Sequence, residues 1–156
     1  MDITRRTLLK GIGSTGVLAA ALAAGVLKPT RAYAAEWNKA AFEAKDFAGG
    51  LKGIGAASPA DSKDIVLTAP EIAENGAVVS VTVASKIPGT TSLSVFVEKN
   101  PMPLSAHFAF SNGALPEARV NVKMGQTSLV KAVAIANGKA YMTQKEVKVT
   151  MGGCGG

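Results

Sequence analysis

The sequence predicts a mainly β-sheet protein, and three observations carry that prediction. From residue 64 onward, seven short segments are rich in β-branched and apolar residues, and in several of them apolar and polar residues alternate. Residue pairs that favour tight turns separate several of these segments. The composition, 47% apolar, 18% charged and 5% aromatic, suits a small globular domain rather than a disordered chain. Together they predict an immunoglobulin-like β-sandwich of about seven strands, with a short N-terminal helix and a flexible C-terminal arm.

The first 34 residues have the organisation of a cleaved export signal. Arg5 and Arg6 form a twin-arginine motif, an apolar run covers 11–27, and 32–34 reads Ala-Tyr-Ala, an A-x-A cleavage site. The run contains four glycines and is short for a membrane-spanning helix. We therefore predict cleavage after Ala34, export in the folded state, and a periplasmic mature protein that no membrane segment holds.

The charge distribution argues against nucleic acid as a partner. The formal net charge is +6, but residues 35–156 carry 12 lysines and arginines against 10 acids, which leaves +2. Such a balance gives no basic surface for a polyanion. Residues 11–16 match the G-x-G-x-x-G dinucleotide motif, yet no strand precedes them and no acid follows at the required distance. We assign them to the signal.

Residues 35–63 are predicted to form a helix and a linker. Apolar residues spaced by three and four predict one amphipathic helix over 37–51, which ends before Gly53 and Gly55. The residues that set this spacing are Trp37, Ala41, Ala44, Ala48 and Leu51. Residues 58–63 are predicted to be the linker.

The sandwich is predicted to occupy 64–150. Its strands are expected at 65–68, 78–85, 92–98, 106–110, 118–124, 128–136 and 140–150. Alternation within several strands predicts one buried and one solvated face. The strand at 128–136 departs from this, because Leu129, Val133 and Ile135 have the opposite parity to Val130. Either both faces of that strand are covered, or a subunit packs against it.

Tight turns are predicted where asparagine or proline precedes glycine, because these pairs reach positive φ. The pairs are Asn75-Gly76, Pro88-Gly89, Asn112-Gly113 and Asn137-Gly138. The last pair closely joins two predicted strands. It therefore predicts a hairpin whose second strand runs directly into the C-terminus.

The C-terminal arm, residues 151–156, contains the chain's single cysteine. A lone cysteine is usually a small buried side chain, but Cys154 lies between Gly152 and Gly153 on one side and Gly155 and Gly156 on the other. These glycines offer no side chain to anchor it and make ordering costly. We expect a thin, flexible arm that carries the thiol about 10 Å beyond the last strand.

The arm does not activate its own thiol. It contains no lysine, arginine or histidine, and the terminal carboxylate lies two residues away, so nothing in it favours the thiolate. A catalytic nucleophile would need a neighbouring base. The sequence instead indicates a passive attachment point that other enzymes load and unload.

These features resemble the SoxY family, the carrier subunits of the periplasmic sulfur-oxidising (Sox) system. The resemblance covers essentially the whole chain: the twin-arginine signal, Asp-Ile-Val-Leu at 64–67, Ala-Pro-Glu-Ile-Ala-Glu-Asn-Gly at 69–76, Lys-Met-Gly-Gln-Thr-Ser at 123–128 and the terminal Gly-Gly-Cys-Gly-Gly. The terminal motif is the most specific of these features.

The resemblance implies a function in thiosulfate oxidation. It implies a heterodimer with SoxZ, a second all-β subunit, with Cys154 as the covalent carrier of sulfur intermediates. SoxAX, a haem protein, would couple thiosulfate to the thiol, and SoxB, a manganese hydrolase, would release sulfate. SoxCD, where present, would oxidise the remaining sulfane. The carrier itself would be neither an enzyme nor a cofactor protein, and it would bind no metal.

Other polar residues allow weaker interpretations. His107 stands beside Phe108 and Phe110 and is expected on a sheet face, since there is no second histidine with which to build a site. Four acids could form an acid/base group, but solvated turn charges are the favoured interpretation. They are Asp61, Asp64, Glu71 and Glu74.

Four other functions compete with the carrier, and one of them is a binding module whose C-terminal tail is incidental. A copper(I) protein could use methionine thioethers with His107, although methionine is ordinary core filler; the candidates are Met102, Met124, Met142 and Met151. A structural dimer could form through an intermolecular disulfide at Cys154. A diglycine tail could be activated at its carboxylate, but the cysteine inside the motif and the export signal argue against it.

Overall fold

The protein is an immunoglobulin-like β-sandwich with two short helices on one outer face. The structure, a computed structural model, describes residues 38–150. The predicted signal, Trp37 and the whole C-terminal arm therefore lie outside the described residues. Within 38–150, no helix is long and apolar enough to span a bilayer.

All seven predicted strands are present, with bounds within two residues of those expected. They are β2 (Ile65–Thr68), β4 (Val79–Ser85), β5 (Thr90–Val97), β6 (Leu104–Ala109), β7 (Glu117–Val122), β8 (Ser128–Ala136) and β9 (Lys139–Val149). Two further strands of two residues, β1 (Ala60–Asp61) and β3 (Ile72–Ala73), were not predicted. The linker prediction for 58–63 is therefore wrong in part, since β1 lies inside it and pairs with β9.

The strands form two sheets. The larger has the order β1-β9-β8-β5-β6, with β3 also paired to β9, and the smaller has the order β2-β4-β7. Both β1 and β3 run parallel to β9, whereas β8 runs antiparallel to it. Strand β9 is thus paired on both sides.

The core between the sheets is built by the predicted alternation. Val79, Val81 and Val83 of β4 are at most 1% exposed, and Val122 and Met124 are also buried. They pack with Leu93, Val95, Val97 and Val130 from the larger sheet. Burial of this apolar surface is the main stabilising contribution to the sandwich.

The predicted turns divide into two kinds. Asn137 and Gly138 have φ of 51° and 73° and connect β8 to β9 in the expected hairpin. Asn112-Gly113 and Gly89 also have positive φ, as expected. The turn predicted at Asn75-Gly76 is present at 76–77, but neither of these two residues has the expected positive φ. The Asn75 side chain accepts a hydrogen bond from the amide of Ala77 instead.

The prediction of one helix that ends before Gly53 is wrong, because two helices occupy this segment and the second includes Gly53. They are α1 (Lys39–Phe42) and α2 (Phe47–Gly53). The helix is interrupted because Asp46 is extended, with φ of −141°, and its carboxylate caps α2 by accepting from the Gly49 amide at 2.6 Å.

The helices explain why both faces of β8 are apolar. Val133 is fully buried in a second cluster with Leu51, Ile54 and Phe96, on the face of the larger sheet that points away from the smaller one. Ile135 packs against the same cluster. Of the two alternatives for this strand, coverage on both faces within the same chain is correct for Val133 and Ile135.

Candidate functional site

The described chain ends where the C-terminal arm begins, so the structure defines the root of the arm. We use this term for Lys148, Val149 and Thr150. Strand β9 brings the chain to this point, and Val147 pairs with Ser128 of β8. The position of the root is therefore set by the sheet, within three residues of a fully buried valine.

Strand β3 holds the root from one side. Ile72 and Ala73 pair with Lys148 and Val149. The Thr150 amide donates to the Ala73 carbonyl at 3.1 Å, and its hydroxyl donates to the Glu74 carbonyl at 3.3 Å. The last described residue is thus hydrogen-bonded through both its backbone and its side chain.

The segment before β8 holds the root from the other side. The Val149 amide donates to the Thr127 hydroxyl oxygen at 3.0 Å. Thr127 belongs to the 123–128 segment, which crosses the end of the sandwich from β7 to β8. Its Met124 is fully buried and donates from its amide to the Gly76 carbonyl at 2.7 Å. This segment therefore fastens the root of the arm to the core.

The reach of the cysteine follows from chain length. Cys154 is four residues beyond Thr150, a span of about 13 to 14 Å when fully extended. The predicted carrier Cys154 and the arm glycines Gly152, Gly153, Gly155 and Gly156 lie outside the described residues. The structure describes the anchor of the arm and limits the distance at which the thiol can act.

Replacing Thr127 by valine should loosen the root. The variant removes the acceptor for the Val149 amide, and a lost hydrogen bond of this kind costs about 1 kcal/mol. We expect hydrogen exchange at Val149 to accelerate roughly 5- to 10-fold. Thr143→Val is the control, because Thr143 lies on β9, the strand that contains Val149, but away from the root. Unchanged exchange at Val149 in the Thr127 variant would contradict the anchoring function.

His107 lies far from the root. It lies on β6 and pairs with Ser94 of β5, and its Nδ1 is 2.8 Å from the Ser94 Oγ. The pairing register places His107 level with Met142, which lies on β9 seven residues before Val149. Three strand spacings separate β6, which carries His107, from β9. These offsets are about 23 Å and 14 Å, beyond the reach of the arm. His107 therefore cannot act as a base for Cys154 of the same chain.

The burial of His107 predicts a pH dependence of stability. Desolvation lowers its pKa from the ordinary value of 6.5. Below about pH 6.5 the unfolded chain therefore binds the proton more readily, and stability falls until the pH is below the lowered folded-state pKa. In His107→Gln this contribution to the decrease in stability at low pH should be absent. Urea unfolding at pH 7.5 and pH 5 measures the decrease in each protein. An equal decrease in both proteins would contradict the prediction.

The other candidate groups are dispersed. Asp61, Asp64, Glu71 and Glu74 are all exposed, although Asp61 lies in β1 rather than in a turn. Met124 belongs to the core between the sheets, whereas Met142 packs against the cluster beneath the helices. The two thioethers therefore lie on opposite faces of the larger sheet. In residues 38–150, no group of three His, Cys, Asp or Glu side chains could hold a metal ion.

The root-holding residues were not identified from the sequence. The resemblance included 69–76 and 123–128, but nothing in either segment indicated contact with the last strand. Ala73 and Glu74 act through backbone carbonyls, which leave no residue-type signal. The hydroxyl of Thr127 was the one available clue.

The comparisons with known proteins agree with the fold. The family model described as sulfur oxidation protein SoxY matches residues 52–154. The solved structure of the sulfur carrier protein SoxY from Chlorobium limicola f. thiosulfatophilum is 40% identical, with a TM-score of 0.59, and the match covers 65% of this chain and 92% of that one. A variant of the superoxide reductase (neelaredoxin) from Ignicoccus hospitalis is 21% identical, with a TM-score of 0.49, covering 55% and 78% of the two chains. No curated protein matched significantly. Because the family model covers well over half of the sequence, this chain belongs to the SoxY family of sulfur oxidation proteins.

Proposed function

We propose that the protein is a non-catalytic carrier of sulfur intermediates in thiosulfate oxidation, with the intermediate bound covalently to Cys154. The observation that carries this proposal is the match to the SoxY family, which extends to residue 154 itself. The related Chlorobium protein is described as a sulfur carrier. The anchored root supports the same function, since a carrier needs a fixed base and a reactive group at a distance from it.

The chemistry needs a thiol and two partner activities. Oxidative coupling joins the Cys154 thiol to thiosulfate, forms an S–S bond, and releases one proton and two electrons to a SoxAX-like haem enzyme. Hydrolysis by a SoxB-like enzyme then adds water, releases sulfate and two protons, and leaves a deprotonated persulfide on Cys154. A SoxCD-like enzyme would oxidise that sulfane sulfur where such an enzyme is present.

Covalent attachment suits this sequence of steps. Tethering replaces diffusion of a reactive intermediate by repeated docking of one carrier. The arm contains no base of its own, and His107 lies beyond its reach. The partner enzymes would therefore supply the activation.

The assembly and location complete the proposal. We propose a heterodimer with a SoxZ-like subunit, transient complexes with the enzymes above, and export of the folded protein to the periplasm after recognition of Arg5 and Arg6.

Transfer of labelled sulfur tests the proposal. The protein is incubated with thiosulfate labelled in its outer sulfur, together with the coupling enzyme and its electron acceptor. We expect label on the protein that dithiothreitol releases, and no label on Cys154→Ser. Equal labelling of the serine variant would overturn the proposal, and a dithiothreitol-labile dimer without label would instead favour a structural disulfide.

A further inference from the structure

A cavity of about 320 Å³ lies at the same end of the sandwich as the root of the arm. Its lining residues are Lys99, Asn100, Pro101, Lys123, Gly125 and Gln126. They come from the loop between β5 and β6 and from the segment between β7 and β8. We call it the lysine cavity.

Hydrogen bonds fix the two walls of the lysine cavity. The Asn100 side-chain amide donates to the Lys123 carbonyl at 2.7 Å and joins one wall to the other. The Lys99 amide donates to the Ser128 hydroxyl oxygen at 3.0 Å. The backbone of both lysines is therefore held in place before any ligand binds.

The charge of the lysine cavity favours an anion. Two of its lining residues are lysines and none is acidic. The ion pairs of residues 38–150 join Lys39 to Glu43 and Lys131 to Glu98, so neither cavity lysine is paired. Glu98, the acid next to Lys99 in the sequence, lies 2.6 Å from the Lys131 ammonium. Two lysines thus line one cavity, and no described carboxylate is paired to either.

The lysine cavity is within reach of the arm. Lys99 is level with Ser128, which pairs with Val147 of β9. Strand β8 separates β5 from β9, so the lateral offset is two strand spacings, about 10 Å, and Thr150 lies three residues beyond Val147, which adds an axial offset of about 10 Å. The connecting segment runs from Lys123 at the cavity to Thr127 at the root. The combined offset is about 14 Å, and the four residues from Thr150 to Cys154 span about 13 to 14 Å. The nearer wall, at Gln126, is next to Thr127, which accepts from Val149, so a group on the Cys154 side chain can reach the cavity.

We propose that the lysine cavity binds the anionic sulfonate end of the thiosulfonate carried on Cys154 when the arm folds back along the 123–127 segment. This inference rests on the proposed carrier function. A thiosulfonate bears one negative charge at its terminal sulfonate, whereas the free thiol and a neutral disulfide bear none. The added charge therefore distinguishes the arm that carries the thiosulfonate from the arm that does not, and the cavity holds the former against the sandwich.

Chemical loading allows a test that needs no partner enzyme. The Cys154 thiolate attacks an inner sulfur of tetrathionate, forms cysteine S-thiosulfonate, and releases thiosulfate as the leaving group. Methyl methanethiosulfonate gives the matched neutral adduct, an S-methyl disulfide, and releases methanesulfinate. Both adducts are prepared on the same isotopically labelled protein, and their amide NMR signals are compared.

The expected result is a shift of the Lys99, Gly125 and Gln126 amide signals with the thiosulfonate adduct and not with the neutral one. High salt should diminish the shift, because it screens the attraction. In a Lys99→Gln, Lys123→Gln double variant we expect the shift to fall to less than half. Lys148→Gln, which removes an exposed ammonium at the root but outside the cavity, should retain it.

Three results would overturn the inference: no shift at the cavity, an equal shift with the neutral adduct, or a full shift in the double variant. None of them bears on whether Cys154 is the carrier, because the adducts are made chemically. Conversely, if Cys154→Ser kept its turnover with partner enzymes, the carrier function would fail whatever the NMR signals showed.

Discussion

Cys154→Ser is expected to reduce thiosulfate-dependent turnover to background in a system reconstituted with partner enzymes. Serine has nearly the same shape as cysteine, but its hydroxyl cannot form the S–S bond that the proposed cycle requires. The measurement is sulfate formed per carrier per unit time. Thermal unfolding and binding to the SoxZ-like subunit should be unchanged.

Met151→Ser is the matched control. It places the same new side chain in the arm but keeps the thiol, so we expect turnover near the wild-type value. Turnover retained by the Cys154 variant would refute the carrier function. Equal loss in both variants would indicate that the arm matters for a reason other than its sulfur.

Phe96→Ala is expected to lower the free energy of unfolding by about 3 to 5 kcal/mol, the range for large-to-small changes at a fully buried aromatic residue. Phe96 is 0% exposed, and its ring meets that of Phe47 edge-on with centroids 5.0 Å apart. Gly50 packs so closely that a Cβ there would lie 2.7 Å from the Phe96 ring. Loss of the ring would leave a cavity between α2 and the larger sheet.

Phe108→Ala is the comparison for that variant. Phe108 is partly buried and packs on the other face of the same sheet, so its removal should cost less. Should Phe96→Ala fail to fold, Phe96→Leu replaces it, with an expected loss of about 1 to 2 kcal/mol. Urea unfolding gives each value. A loss for Phe96→Ala no greater than for Phe108→Ala, or for Phe96→Leu no greater than for Phe108→Leu, would contradict the packing described.

Residue patterns predicted the sandwich because they extend over whole strands. Alternation in β4 and the Asn137-Gly138 turn each specify a local geometry that the tertiary structure keeps. The two-residue strands β1 and β3 are too short to show a period, and they exist because β9 offers them a free edge. The interruption of the helix at Asp46 depended on a side-chain cap, which periodicity of apolar residues does not report.

The candidate site divides in the same way. Cys154 could be proposed from the sequence because a cysteine among glycines is an unusual pattern. Thr127 and Ala73, which hold the root, are ordinary residues whose contribution depends on partners 22 and 77 residues away. The lysine cavity likewise requires Lys99 and Lys123 to meet across two loops. Such contacts follow from strand order and register, which local patterns do not determine.

The most direct test of the central claim is the intact mass of the protein purified, without reductant, from cells that are oxidising thiosulfate. The account predicts added masses that correspond to sulfur intermediates, that disappear on treatment with a reductant, and that map to the peptide containing Cys154. An unmodified C-terminal peptide under these conditions, or sulfur adducts confined to another part of the chain, would contradict it.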